Sequence, residues 1–256
     1  VGSFRFDHGR FYRAGVPVIQ CVAETQGGAT ESGGTITHTL GTPYYFDVLS
    51  LSEKTISGPG IAVLRWTYGD SGEYQGMWDG VPPCTTCTQS KVVSITQPDG
   101  SRLEETYGIV FDHNEGKLLG RRTVSSSGVV LESEKLTYVS TAQMSSMPFP
   151  DRYGSRWGGS DDSSVTIRPM QQRQLTRDDV TMTWQVSSFD GYGRPASVTR
   201  SSSQGASRTD TTSYYNDTTL WILGQVASQT NNNSGLVEAQ TTYNTAALPT
   251  EQRRFG

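Results

Sequence analysis

The chain has 256 residues, 28 of them glycine, with 34% hydrophobic residues and a formal net charge of -4. With a mean hydropathy of -0.49 this is lean for a globule built round a thick apolar core, and it favours a thin or hollow architecture. A pI near 5.4 leaves no basic footprint for nucleic acid, and no run approaches the roughly 20 apolar residues of a membrane helix, so neither nucleic-acid binding nor membrane insertion is expected.

In chain order, the opening VGSFRFDHGR carries neither an initiator Met nor a signal-peptide core. Both ends stop inside strand-like text, and neighbouring sequence is expected on either side. Strands are expected at PVIQCVAET, GTITHTL, YYFDVLSLSEKTI and IAVLRWTY, divided by Gly-rich turns. A long loop follows at 69–90, then a hairpin, KVVSITQPDGSRLEETYGIVF, turning at Pro-Asp-Gly, and another, RRTVSSSGVVLESEKLTYV, turning at Ser127-Gly128. A second long loop occupies 140–162, and regular hairpins run from there to the end. No stretch sustains a 3.6-residue period, so the fold class is all-β with almost no helix. Without a linker or a composition shift, 1–256 reads as one continuous β segment, most regular over 187–256.

Three stretches share one grammar. SFDGYGRPASVTRSSSQG places Phe189-Asp190 before Gly193-Arg194; SYYNDTTLWILGQVASQT places Tyr215-Asn216 before Gly224-Gln225; TTYNTAALPTEQRRFG places Tyr243-Asn244 in the same role. The aromatics lie 26 and 28 residues apart, which is repeat spacing. Phe6-Asp7 with Gly9-Arg10, and Phe111-Asp112 with Gly116-Lys117 and Gly120-Arg121, are weaker copies.

An Asp or Asn after an aromatic accepts backbone N–H bonds from two or three residues on, and a following Gly supplies the φ > 0 position of a type I turn plus bulge. The aromatic then faces its neighbours in the sheet, and the basic residue opens the returning strand with its head in water. Catalysis by this acid would need Asn to do a carboxylate's work at two of the three sites. Asp190→Asn is therefore expected to be nearly silent. Strands are expected near Arg194 to Ser202, Arg208 to Tyr215, Gly224 to Asn231 and Gly235 to Asn244, with Val198 and Arg200 on one face and Thr199 and Ser201 on the other.

Other motifs are weighed the same way. Gly69-Asp70-Ser71-Gly72 matches the nucleophile segment of chymotrypsin-like proteases, but it lies in the first third of the chain, and only His8 and His38 precede it. Cys84 and Cys87 form a Cys-x-x-Cys pair with Cys21 the only other cysteine, half of a zinc site at most, to which His38 and His113 add ligands only by coincidence of folding. Asp79, Asp151, Asp161, Asp162, Asp178 and Asp179 read as solvated loop charges more readily than as a glycosidase pair. Trp66, Trp184 and Trp221 sit in strand or hairpin settings where packing is the default; Trp78 and Trp157, in the long loops, are the candidates for glycan stacking. No catalytic residue, metal or cofactor is assigned.

The ordered set of repeats resembles the YD repeats of the RHS family. Phe-Asp-x-x-Gly-Arg stands for the family's Tyr-Asp-x-x-Gly-Arg, and SGPGIAVLRWTYGD, PCTTCTQSKVVSITQPDGSRLEETYG and NEGKLLGRR resemble non-repeat stretches of its large bacterial members, so the likeness runs from about Thr55 to Gly256. The resemblance implies a spiralling antiparallel β-sheet forming part of a hollow shell, secreted or at the cell surface, that encloses a C-terminal toxin or effector domain. Its partners would be flanking repeats of the same chain, the enclosed domain, and secretion-system or toxin-complex components. The Asp-Pro-x-Gly motif of the family's self-cleaving core does not occur here, so this segment would be non-catalytic wall. A carbohydrate-binding or adhesive β array and a polysaccharide-acting enzyme are the alternatives.

Overall fold

The computed structural model describes residues 1–14, 45–71, 76–77, 88–110, 114–153 and 165–255. The described chain is all-β: apart from a single 3₁₀ turn, Thr141–Ser146, every regular element is a strand. No helix among the described residues is long and apolar enough to cross a membrane. Two compact units divide the chain, one drawn from residues 1–100, 106–117 and 156–163 and the other from 101–105, 118–155 and 164–256.

The first unit holds β1 (Gly2–Ala14), β2 (Tyr45–Gly58), β3 (Ile61–Asp70), β4 (Gly76–Met77) and β5 (Ser90–Thr96), and β6 (Arg102–Gly108) is shared between the units. The strands of the first unit lie in the order β4-β1-β2-β3-β5. All its pairs are antiparallel except β1 with β4, where Arg13 and Ala14 run parallel to Gly76 and Met77. The weak copy at Phe6-Asp7 and Gly9-Arg10 is not a turn. These residues lie inside β1, opposite Leu51 to Asp47, with a bulge between Arg5 and Phe6.

The second unit holds β7 (Leu118–Val124), β8 (Val130–Tyr138), β9 (Arg152–Tyr153), β10 (Val165–Thr166), β11 (Met170–Arg177), β12 (Val180–Phe189), β13 (Pro195–Ser202), β14 (Ser207–Asp217), β15 (Ile222–Asn231), β16 (Leu236–Tyr243) and β17 (Pro249–Arg254). The short strands β9 and β10 pair with each other; the rest form an antiparallel ladder, β7-β8-β11-β12-β13-β14-β15-β16-β17. From β11 onward each strand meets the next through a short turn, and the four spans expected between Arg194 and Asn244 match β13 to β16 within a residue or two at most ends.

Alternation gives the ladder two unlike faces. Over β11 to β14 one face carries Gln172, Gln174 and Thr176, then Thr181, Thr183 and Gln185, then Thr199 and Ser201, then Thr209. Its side chains bond across strands, Thr176 with Thr181 at 2.9 Å, Thr199 with Thr209 at 2.8 Å, and Gln172 Nε2 donating to Gln185 Oε1 at 2.8 Å. The other face carries Leu175, Met182, Trp184, Val186, Val198 and Arg200, so Val198 and Arg200 do lie together, opposite Thr199 and Ser201. Part of this face is covered by residues from the long loop. Val139, Phe149, Val186, Phe189 and Val198 form the buried core there, with Met144, Met147, Ile167 and Trp184 packed against it. Buried Arg168 ties the cover down, donating from Nη2 to Asp151 Oδ1 at 2.7 Å and from Nη1 to its neighbour Ile167's carbonyl at 2.9 Å.

Candidate functional site

The candidate residues gather at the turns of the second unit, and one turn type recurs there. At Asp190 the backbone N–H of Asp190 donates to the Arg194 carbonyl at 2.9 Å and that of Gly193 to the Asp190 carbonyl at 3.1 Å. Identical pairs close Ser125 to Val129, Ser202 to Ala206 and Asn244 to Leu248. In every case the fourth residue has positive φ: Gly128 at 87°, Gly193 at 77°, Gly205 at 94° and Ala247 at 56°. The first residue's side-chain oxygen accepts backbone N–H groups of the turn. Asp190 Oδ1 takes Tyr192 and Arg194, both at 2.9 Å, and Asn244 Oδ1 takes Ala246 at 2.9 Å and Leu248 at 3.0 Å. The type I turn plus bulge expected from sequence is present. The third copy has Ala247 where the first has Gly193, an L-residue held in the left-handed region at φ of 56°.

Asn216 works over a longer reach. Its Oδ1 accepts the Gly224 N–H at 3.0 Å, while Asp217 Oδ1 takes Thr219 and Leu220 N–H at 2.9 and 2.8 Å and rounds off the inserted loop. Gly224 has φ of 84°.

The aromatics fasten neighbouring turns together. Phe189 packs edge-on against Phe149, centroids 5.6 Å apart at 80°, and Tyr215 stacks on Tyr243 at 4.8 Å and 20°. Sequence grammar does not foresee the hydroxyl bonds. Tyr138 donates to the Leu118 carbonyl at 2.9 Å, Tyr214 to Pro195 at 2.8 Å and Tyr243 to Val226 at 2.8 Å. Each acceptor is the second residue after a positive-φ glycine, Gly116, Gly193 or Gly224. Burial pushes the Tyr214 phenol up, the Asp190 charge adds to this and Arg194 opposes it; burial and then Glu134 do the same for Tyr138.

Arg194 departs most from expectation. Its head is not in water: the guanidinium carbon lies 4.9 Å from the Tyr192 ring centre and 4.7 Å from that of Tyr214. Nε donates to Asp190 Oδ2 at 2.8 Å, and Nη2 lies 2.6 Å from that oxygen and donates to Asn216 Oδ1 at 2.7 Å. One side chain thus clamps the turn at Asp190 to the turn at Asn216.

This arrangement separates Asp from Asn. Partial burial pushes the Asp190 carboxyl up, but the Arg194 guanidinium, the N–H groups of Arg194 and Tyr192 and the Arg194 charge together outweigh it and hold the group below its ordinary value. At Asn244 the fifth residue is Leu248, which brings no guanidinium. Asp190→Asn should therefore not be silent, because its Nδ2 would face the Arg194 donors. The expected loss is about 1–2 kcal/mol in urea unfolding at pH 7. A folded-state value below the unfolded one gives stability that is full above the unfolded carboxylate range and is lost as pH falls through the folded value. Wild type should therefore lose more stability than Asp190→Asn between pH 5 and about pH 2, and equal pH slopes would refute the assignment.

Other candidates resolve individually. Trp78, Trp157, Asp79, Asp161, Asp162, the three cysteines, His38, His113 and the pair Phe111-Asp112 lie outside the described residues. Gly108 N–H donates to the Lys117 carbonyl at 2.9 Å, so Tyr107-Gly108 takes the place in that hairpin that Phe189-Asp190 takes in its own. Asp178 and Asp179 form a two-residue hairpin turn with φ of 49° and 61°, the backbone such turns require. Ser71 extends the strand pairing, its N–H donating to the Val92 carbonyl at 2.9 Å and its Oγ accepting the Val92 N–H at 3.0 Å. Among the described residues no cluster of three or more His, Cys, Asp or Glu could hold a metal.

Trp221 corrects the packing expectation. It is 71% exposed, at a hairpin tip with φ of 55°. Trp221→Gly removes little buried surface and relieves the left-handed backbone, so it should stabilise the chain by about 0.5–1 kcal/mol once glycine's entropy is deducted. A lowered urea midpoint would contradict this.

Beyond the covered core, the same face opens into a groove of about 650 Å³ lined by Met170, Leu175, Met182 and Trp184, with Arg173, Arg200 and Arg208 among its walls. Arg173 pairs with Glu134; Arg200 and Arg208 share Asp210, each at 2.7 Å, and Arg208 also meets Glu238.

Compared with family models, curated proteins and solved structures, the chain matches none.

Proposed function

We propose that this chain is a structural, non-catalytic wall segment of an RHS-type β shell that encloses a toxin or effector domain of the same longer protein outside the producing cell. The observation that supports the reading is the recurring tyrosine bond: Tyr138, Tyr214 and Tyr243 each donate to the second residue after a positive-φ glycine, 17 to 20 residues back. Such bonds, with the Arg194 clamp, fix each hairpin to one before it without a thick core, which suits a sheet that must hold its form as a thin layer. The polar groups in the repeated turns are committed to backbone and neighbouring side chains, so Asp190 serves as a turn acid rather than a proton-transfer group.

The test uses the parent chain. The segment should shield the downstream domain from added protease, and deleting Ser187 to Gly256 should expose that domain while leaving its intrinsic activity unchanged. Protection that survives the deletion, or a parent chain with no enclosed domain, would overturn the proposal.

A further inference from the structure

Among the described residues β17 has a neighbour on one side only, β16. The Leu248 carbonyl accepts the Asn244 N–H and the Phe255 N–H reaches the Glu238 carbonyl, so both face inward. Alternation therefore turns the Pro249 carbonyl, and the N–H and carbonyl groups of Gln252 and Arg254, to the open edge. What covers such an edge is set by one register elsewhere in the same ladder. In β13 the Pro195 carbonyl accepts the Tyr214 hydroxyl; two residues on, Ser197 pairs with Thr211, and Tyr214 lies three residues beyond that partner. The same register joins Leu118 to Tyr138 through the pair Gly120 and Lys135, and Val226 to Tyr243 through Ser228 and Gln240. The residue before the partner is acidic in two of the three, Glu134 and Asp210, and in the third Ala239 stands there next to Glu238.

We infer that the open edge of β17 takes an antiparallel strand from a further repeat of the parent chain, with an acidic residue four positions before a tyrosine whose hydroxyl donates to the Pro249 carbonyl. Pro249 is to its turn what Pro195 is to the turn at Asp190. Both directly follow the turn, and both begin a strand with the same bulge, Phe189 opposite Pro195 and Ser188 opposite Ser197 in one, Tyr243 opposite Pro249 and Thr242 opposite Glu251 in the other. Carrying the register across places the incoming residues: one opposite Glu251, the acid before it opposite Gln252, and the tyrosine three residues after it. Charge fits the acid. Arg254 stands where Arg200 stands in β13, and Arg200 pairs with Asp210 at 2.7 Å. Arg254 is exposed, and among the described residues no carboxylate pairs with it. Main-chain bonds along the edge supply affinity, while the acid and the tyrosine fix the register. A second copy is the poorer occupant, because among the described residues its own segments of this pattern, Glu134 to Tyr138 and Asp210 to Tyr214, lie in β8 and β14, which are paired on both sides.

This inference rests on the reading of the chain as a repeat segment of a longer protein, but not on any enclosed domain, so protease shielding and the following test can fail independently. The probe is a fluorescent peptide copying Ser207 to Asp217, titrated with the 256-residue chain from about 10 to about 1000 μM, and Kd should be on the order of 100 μM because a flexible strand is ordered on docking. Replacing the peptide's copy of Tyr214 by Phe should weaken binding about fivefold, whereas Phe at the copy of Tyr215, whose hydroxyl has no part in the register, should leave it unchanged. Replacing the copy of Asp210 by Asn should weaken binding about twofold, and no further in the chain variant Arg254→Ala. Gln252→Pro removes an outward N–H at an edge position that tolerates proline, and should abolish binding while circular dichroism shows the fold kept. On the wild-type chain, independent of any variant, the peptide should slow amide hydrogen exchange at Gln252 and Arg254. The parent chain should not bind the peptide, its own strand already filling the edge. No binding up to about 1 mM, equal binding of both Phe peptides, or unchanged exchange at Gln252 and Arg254 would overturn the proposal. So would a parent chain that binds the peptide as the 256-residue chain does, or self-association of the chain that Gln252→Pro abolishes, which would put a second copy on the edge.

Discussion

Phe189→Ala should lower the unfolding free energy by about 3–5 kcal/mol, the largest loss expected of any single change in the second unit. Phe189 is 7% exposed and belongs to a core of five buried side chains, the others being Val139, Phe149, Val186 and Val198. In so small a core there is little to slide into the space, so the loss of transfer free energy and the residual cavity both count. The edge-on contact with Phe149 adds a part of its own, and a double-mutant cycle with Phe149→Ala should return a coupling of about 0.5–1.5 kcal/mol. Against a total stability of roughly 5–15 kcal/mol the single change approaches unfolding of the unit. Tyr215→Ala is the control, since that ring is stacked but only half-buried. Urea unfolding followed by far-UV circular dichroism measures all three. If Phe189→Ala cost no more than Tyr215→Ala, the core would not be where the packing places it.

Where a sequence signal is local, the structure follows it. Alternating Val, Thr and Ser around Val198 set a strand and its faces, and a side-chain acceptor, carboxylate at Asp190 and hydroxyl at Ser202, with a glycine three residues on set the two turns. Asn244 keeps the turn without the glycine, and Ala247 bears the positive φ instead, for which composition carries no cue. Misreadings arise where the deciding partner is distant. Asp7 and Gly9 carry turn chemistry, but pairing with Ser50 and Val48 across an intervening stretch makes them strand. Phe149 sits in a segment with no periodicity and reads as loop, yet it completes the core because the chain folds back over Val186 and Val198. Trp221 looks packed by analogy with other hairpin tryptophans, whereas the three-residue approach from Asp217 turns it outward. Arg194 follows its glycine as the grammar requires, but the acceptor that draws its head from water is Asn216, 22 residues on.

That distant contact makes Gly224 the most constrained glycine of the set. Gly224→Ala should cost about 2–4 kcal/mol, from two separable causes. The first is backbone: φ of 84° is a conformation in which an L-residue loses about 1–2 kcal/mol. The second is space, because a Cβ there would overlap Arg194 Nη1 and come within 3.2 Å of its guanidinium carbon. Guanidiniums move easily when they are unattached, but this one is held by Asp190 and Asn216 and lies against the rings of Tyr192 and Tyr214. Moving it weakens the charge-assisted bond to Asn216 Oδ1 and forfeits about 1–2 kcal/mol of it. Gly193 gives the contrast: its φ is 77°, but a Cβ there would meet Ile167 and Phe149 at 3.3 and 3.6 Å and leave the clamp untouched. The two causes separate in the Arg194→Ala background, where Gly224→Ala should retain only the backbone cost of about 1–2 kcal/mol, while Gly193→Ala should cost the same with or without Arg194. Should Gly224→Ala cost as much without Arg194 as with it, the guanidinium would not be what reserves that space, and the clamp between the two turns would carry no energy.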